Sequence, residues 1–300
     1  MGLVILAIFI IAAVYVQNRG AVQHARFSRK LTDHSNFLAP INCLFYFFSK
    51  NTQSVYIDLE QFPELKILQE NWQMIRDEAI NLNAAAQIKA SDDLDDLGFN
   101  SFFRTGWKRF YLKWYGANLK SAEQLCPKTV ALISQLPNVK GAMFTMLPPG
   151  ARLTKHRDPY AGSLRYHLGL VTPNSDDCYI SVDGQKYAWK DGEAVMFDET
   201  FIHYAINNTD QNRIILFVDV KRPVDFFLVD WFNEIFSRLV VASAATKNMK
   251  GDKVGILNRA FGYLYQIRIL GKKIKAFNRT LYYVLQYGLY LGLIYLIFFS

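Results

Sequence analysis

GAMFTMLPPGARLTKHRDPYAGSLRYHLGLVTPNSDDCYISVDGQKYAWKDGEAVMFDETFIHYAINNTDQNRIILFVDV, residues 141–220, is the stretch whose reading decides the fold. It divides into short apolar runs separated by turn signals. GAMFTML stops at Pro148-Pro149-Gly150, and LRYHLGLV stops at Thr172-Pro173-Asn174. CYISV and QKYAW flank Asp183-Gly184, a pair that tolerates positive φ at both positions and so favours a two-residue hairpin turn. EAVMF follows Asp191-Gly192, and HYAI and RIILFVDV flank the polar turn NNTDQN. Strands this short, at this spacing, predict a sandwich or barrel. A double-stranded β-helix (jelly roll) is the expected form of a mainly β core.

Upstream of this stretch the periodicity is helical. Residues 63–89 open with a proline and carry Leu65, Leu68, Trp72, Ile75, Ala79 and Leu82 at helical spacing. An aromatic stripe of that kind is core rather than a cofactor box. WKRFYLKWYG (107–116) alternates as a strand does, and 121–137 predicts two short helices broken at Pro127. Downstream, 225–242 is amphipathic, suited to an interface or to packing on the barrel.

The two ends of the chain point to a membrane. Residues 2–16 are uninterruptedly apolar, about 22 Å of helix against a hydrocarbon core of ~30 Å, so polar flanks must help it span. The rival is a cleaved signal peptide, which carries its positive charge before the apolar run. Here Arg19, Arg26, Arg29 and Lys30 follow it, and an uncleaved anchor with an outside N-terminus is expected. Residues 37–48 are apolar but too short to span; interfacial contact and packing on the domain remain equal alternatives. Residues 281–299 predict a second anchor, preceded by Lys272, Lys273, Lys275 and Arg279. Both orientations place the barrel in the cytoplasm.

Composition narrows the partners. The net charge is +8, and the segment Lys247–Arg279 holds nine Lys/Arg against one acid, so the excess is local. Such a block serves an acidic partner; no nucleic-acid fold signature stands beside it, and anionic lipid headgroups are the expected partner. Cys43, Cys126 and Cys178 are odd in number and lack C-x-x-C spacing, which argues against a disulfide framework and fits a reducing compartment.

Within 141–220 the chemistry falls on His156 and Asp158, in KHRDPY, and on His203, in FIHYAIN. Two histidines and a carboxylate on one side of a metal are the ligands of non-haem Fe(II) oxygenases, which leave other positions open. His156-Arg157-Asp158 also mimics a kinase catalytic loop, but the chain has no G-x-G-x-x-G, no D-F-G and no Asn where that loop needs one. Arg213, opening an apolar strand, would be a costly orphan unless a carboxylate meets it.

With these residues in register, residues 141–173 and 189–220 resemble the aspartyl/asparaginyl β-hydroxylase family of Fe(II)- and 2-oxoglutarate-dependent dioxygenases. FPELKILQENWQMIRDEA is similar to that family's upstream helix. The flanking anchors and basic tail resemble its membrane-bound bacterial lipid A acyl-chain 2-hydroxylase branch. The resemblance implies Fe(II) held by His156, Asp158 and His203, with 2-oxoglutarate and O2 as cosubstrates. It implies that Arg213 holds the distal carboxylate of 2-oxoglutarate with help from Thr145, and that Leu147, Arg165 and His167 line the cosubstrate. Asp158 stands where the peptide-hydroxylating members have lost the carboxylate, a departure that disfavours a peptide substrate. The expected organisation is an anchor at 1–18, a basic linker and interfacial segment at 19–52, and the dioxygenase domain at 53–222. An amphipathic and basic juxtamembrane region at 223–280 and a transmembrane helix at 281–300 follow. The expected function is hydroxylation of a lipid A acyl chain at the inner membrane. A peptide hydroxylase and a non-enzymatic cupin-like sensor are the alternatives.

Overall fold

The computed structural model describes residues 2–49, 54–90 and 96–298; the expected boundary between 52 and 53 lies outside these. The chain enters through helices α1 (Gly2–Asn18), α2 (Phe27–Leu31) and α3 (Ala39–Phe48), then a short strand β1 (Tyr56–Ile57). Helices α4 (Lys66–Glu70) and α5 (Trp72–Ala84) precede β2 (Lys108–Trp114) and β3 (Ala117–Asn118). Helices α6 (Lys120–Leu125) and α7 (Pro127–Ser134) follow, with Pro127 opening the second as expected.

Eight strands then build the core: β4 (Val139–Leu147), β5 (Arg152–His156), β6 (Ser163–Val171), β7 (Cys178–Val182), β8 (Gln185–Ala188), β9 (Ala194–Phe197), β10 (His203–Asn207) and β11 (Arg213–Lys221). With β1, β2 and β3 they form a seven-stranded sheet, β1-β9-β6-β11-β4-β2-β3, and a four-stranded sheet, β5-β10-β7-β8. From β4 to β11 successive strands cross between the sheets, apart from the β7–β8 hairpin, and this alternation gives the jelly roll expected from the turn spacing. At that hairpin Asp183 and Gly184 have φ of 48° and 86°, the doubly left-handed turn that the dipeptide predicts. Gly169, in β6, lies against the backbone of the turn before β9: an added Cβ would stand 2.0 Å from the Lys190 carbonyl oxygen.

The predicted upstream helix is broken at Asn71 into α4 and α5, but its stripe is correctly placed. Leu65, Leu68, Ile75, Ala79 and Leu82 are buried in the main core, with Trp72 packed against it. A second apolar cluster joins the barrel to the flanking helices. It contains Ala12 and Val16 of α1, Phe45 and Tyr46 of α3, Tyr160, and Val229 of α8 (Phe227–Phe236). Helix α3 thus packs with one face while Phe37, just before it, and Phe47 on its other face stay exposed.

The basic block, expected to meet anionic lipid headgroups and assigned no secondary structure from the sequence, contains a long helix, α9 (Ile256–Phe277), which leads into α10 (Arg279–Phe298). Residues 279–297 are long and apolar enough to cross a membrane and are unburied. Helix α1 is shorter, at 17 residues, and contacts α10.

Candidate active site

Antiparallel pairing within the four-stranded sheet brings the end of β5 against the start of β10. His156 and His203 are direct cross-strand partners, with ring centroids 4.2 Å apart. Asp158 lies on the extended segment leaving β5, where its N–H donates to the Glu199 carbonyl at 3.0 Å. Asp158 Oδ1 is 3.6 Å from His156 Nε2 and 3.9 Å from His203 Nε2. One ligand atom from each of the three residues lies within 4.8 Å of the others.

Geometry sets both tautomers. His156 Nδ1 is 2.7 Å from the Thr154 carbonyl, and His203 Nδ1 is 3.0 Å from the Phe201 carbonyl. A carbonyl can only accept, so each Nδ1 carries the hydrogen and each Nε2 presents a lone pair. Burial, reinforced by His203, pushes His156 down to about 3, and burial also lowers His203. Burial pushes Asp158 the other way, but Arg165 and then the two histidines outweigh it and hold the carboxyl at about 2. Two neutral imidazoles and one carboxylate suit a first-row divalent metal.

Side chains two apart along a strand share a face, so the cross-strand pairs gather Thr145, Leu147, Arg165, His167, Arg213 and Asp219 on the inner face of the large sheet. Arg165 bridges two carboxylates there, donating to Asp158 Oδ2 at 2.7 Å and to Asp219 Oδ1 at 2.8 Å, with its guanidinium over Phe217. It lines the cavity, yet its charge is committed to Asp158 and Asp219. Arg213 is buried and, among the described residues, meets no carboxylate. Its Nη1 donates to Thr145 Oγ1 at 3.2 Å, its guanidinium stacks 4.4 Å over Trp189, and its Nε has no partner. Burial lowers it to about 10.

His167 is a second orphan. Trp189 Nε1, which can only donate, is 3.4 Å from His167 Nδ1, so the hydrogen sits on Nε2, which is buried without a partner. A cation and an N–H donor left unmet on one inner face fit a carboxylate-bearing group. Thr145, Arg165 and His167 line the cavity; Arg213 reaches it through Thr145 and Trp189, and Leu147 is buried outside it. Phe99, Phe102 and Trp107 roof it. Its volume is about 40 Å³, below the ~300 Å³ of small-molecule pockets.

Several residues that support the candidate site are not marked by the sequence reading. Asp219 and Trp189 support Arg165 and Arg213, and the Asp in RIILFVDV was the one available signal, a charge inside an apolar strand. Arg157, between His156 and Asp158, points away from the cavity. It is fully buried and donates to the carbonyls of Val16, Gln17 and Arg19, capping the end of α1. Asn42 of α3 bonds both neighbours of Tyr160, accepting from Ala161 N–H at 2.9 Å and donating to the Pro159 carbonyl at 2.9 Å. The flanking helices therefore grip the ligand segment from behind.

The family model described as aspartyl/asparaginyl beta-hydroxylase matches residues 69–223. An ornithine lipid ester-linked acyl 2-hydroxylase of Rhizobium tropici is 41% identical over 121 residues, covering 40% of this chain and 43% of that protein. The aspartyl/asparaginyl beta-hydroxylase of Homo sapiens is 29% identical over 167 residues, 53% of this chain and 21% of that protein. The chain spans less than half the length of these curated relatives. A prolyl-4-hydroxylase structure from Pseudomonas putida covers 52% of this chain and 88% of its own at 15% identity and a TM-score of 0.34. The matched segment holds more than half of the chain and contains His156, Asp158, His203 and Arg213: the chain belongs to the aspartyl/asparaginyl β-hydroxylase family.

Proposed function

We propose that this chain is an Fe(II)- and 2-oxoglutarate-dependent hydroxylase of a membrane-lipid acyl chain, acting at the 2-position, with lipid A the first substrate to test. The observation that carries this reading is the convergence of two Nε2 lone pairs and the Asp158 carboxylate beside a buried Arg213 that no acid among the described residues neutralises. The relative named for acyl 2-hydroxylation of ornithine lipid supports a lipid substrate and makes that lipid the second to test. Asp158 disfavours the peptide reading.

Iron with 2-oxoglutarate and O2 supplies the oxidising power: one oxygen atom enters the substrate C–H bond and the other leaves in succinate, with release of CO2. The chain's residues do the rest. His156, Asp158 and His203 hold the metal, and Arg165 keeps Asp158 aimed and ionised. Arg213 with Thr145 receives the distal carboxylate, and His167 donates to the other end. Phe99, Phe102, Trp107 and Phe217 exclude water and give an acyl chain an apolar wall.

Residues 53–222 form the catalytic domain in this reading. Helices α1 and α10 are its anchors, the basic α9 lies against anionic headgroups, and the barrel sits on the cytoplasmic face of a bacterial inner membrane. The test is 2-oxoglutarate decarboxylation by the purified full chain with lipid A, ornithine lipid or an Asp-containing peptide. Stimulation by lipid supports the reading; stimulation by peptide alone, or no turnover with Fe(II) present, contradicts it.

A further inference from the structure

A groove of about 790 Å³ lies far along the chain from the catalytic cavity, between α2 with its preceding linker and the junction of α9 with α10. Its cations are Arg26 and Arg29 from one wall and Lys275 from the other, and among the described residues no acid lines it. The nearby acid, Asp33, is engaged by His24 at 2.7 Å and by the Ser35 N–H at 2.9 Å. Lys275 Nζ stands 4.9 Å from the centre of the Tyr283 ring, and Arg279 stacks on the same ring from 6.0 Å. Tyr287 and Gln286 continue the wall one turn deeper. These residues occupy the first turns of the segment long enough to cross a membrane, the depth at which tyrosines sit among headgroups.

We propose that this groove binds the phosphate-bearing headgroup of a membrane lipid. Two guanidiniums and an ammonium match the charge and the three acceptor oxygens of a phosphate monoester, and hydroxyls and an amide supply further donors. The volume suits a headgroup rather than a bare ion. The position commits the occupant to a lipid, because the wall belongs to a helix that is apolar and unburied immediately below. This inference rests on the membrane-lipid reading above and names the headgroup chemistry by which that lipid is held.

Binding of a pyrene-labelled phosphatidic acid to the purified full chain in neutral-detergent micelles tests it, at salt high enough to screen distant charges. Arg26→Ala with Arg29→Ala is expected to weaken binding about thirtyfold, at about fivefold per basic residue. Arg26→Lys with Arg29→Lys is expected to stay within about fivefold of the parent, which separates loss of charge from misfolding. Lys272→Ala with Lys273→Ala, an equal charge loss outside the groove, is expected to stay within about threefold. Equal weakening by the two alanine pairs, no binding by the parent chain, or displacement by millimolar inorganic phosphate would overturn the inference. Decarboxylation of 2-oxoglutarate, followed in parallel, keeps the two claims apart. Turnover without phosphatidic acid binding defeats the groove alone, and binding without turnover defeats the hydroxylase reading alone.

Discussion

Replacing Arg213 with methionine should make the protein more stable and unable to hold its cosubstrate. Burial brings the guanidinium from 12.5 to about 10, and at about 1.4 kcal/mol per unit its charge costs folding on the order of 3 kcal/mol. The Trp189 face offsets up to ~2 kcal/mol of this and the Thr145 hydroxyl about 1 kcal/mol or less. Methionine fills similar volume without a charge to desolvate, so a net gain of about 1 kcal/mol is expected, or roughly 2–4 °C in the unfolding midpoint for a chain of this size. Removing one member of a buried charge pair costs ~2–5 kcal/mol of binding, so 2-oxoglutarate should bind at least about thirtyfold more weakly. Tryptophan-fluorescence melts with Mn(II), in the absence of O2 and with graded 2-oxoglutarate, read both effects. The parent chain should show a ligand-dependent rise in midpoint that Arg213→Met lacks. A methionine variant less stable than its parent, or one that keeps the ligand-induced rise, would refute the idea that Arg213 is held unpaired for a carboxylate.

Asp219→Asn removes one anchor of Arg165 and should weaken divalent-metal binding about 10–100-fold, as loss of supporting partners commonly does; calorimetry with Mn(II) checks it, and unchanged affinity would show that Asp158 needs no such support. Arg157→Ala uncaps the end of α1 and releases the segment between His156 and Asp158. Faster limited proteolysis between α1 and α2, together with about tenfold weaker Mn(II) binding, is the expected pair of effects, and proteolysis without the metal effect would confine Arg157 to anchoring. Glu199 is fully buried, and burial, opposed by Arg165 and reinforced by Asp219 and Asp198, raises it to about 8 from 4.5. Its protonated form therefore stabilises the fold in full below pH 4.5, and that contribution fades as pH rises through about 8. Glu199→Gln cannot ionise, so its midpoint relative to the parent should climb by up to about 1.4 kcal/mol equivalent per pH unit across that window and level off above it. A pH-independent difference would contradict the buried, protonated state.

How much of this was legible in the sequence follows from how local each determinant is. The β7–β8 hairpin was readable because Asp183-Gly184 sets two backbone angles by itself. The Leu65–Leu82 stripe was readable because burial follows periodicity, although nothing in it marked the break at Asn71. The candidate metal ligands stand out by spacing and resemblance, and the structure brings the three together. Their supports do not stand out: the Arg165–Asp219 contact depends on the β6–β11 register, and Arg157 depends on where a helix more than a hundred residues upstream comes to rest. Helix α9 escaped notice because its apolar side chains, among them Ile256, Tyr263 and Ile267, face outward among basic residues instead of into a core. Arg165 carries the lesson in one residue. Sequence placed it at the site, but only the geometry shows its charge already spoken for by two carboxylates.

The central claim is tested most directly by mass spectrometry of lipid acyl chains from bacterial membranes carrying the parent chain, His156→Ala or Asp158→Ala. The account predicts acyl chains heavier by one oxygen atom, with the hydroxyl at the 2-position, in the parent sample and in neither variant. Acyl chains of unchanged mass in all three samples, with the parent chain expressed and iron supplied, would contradict it.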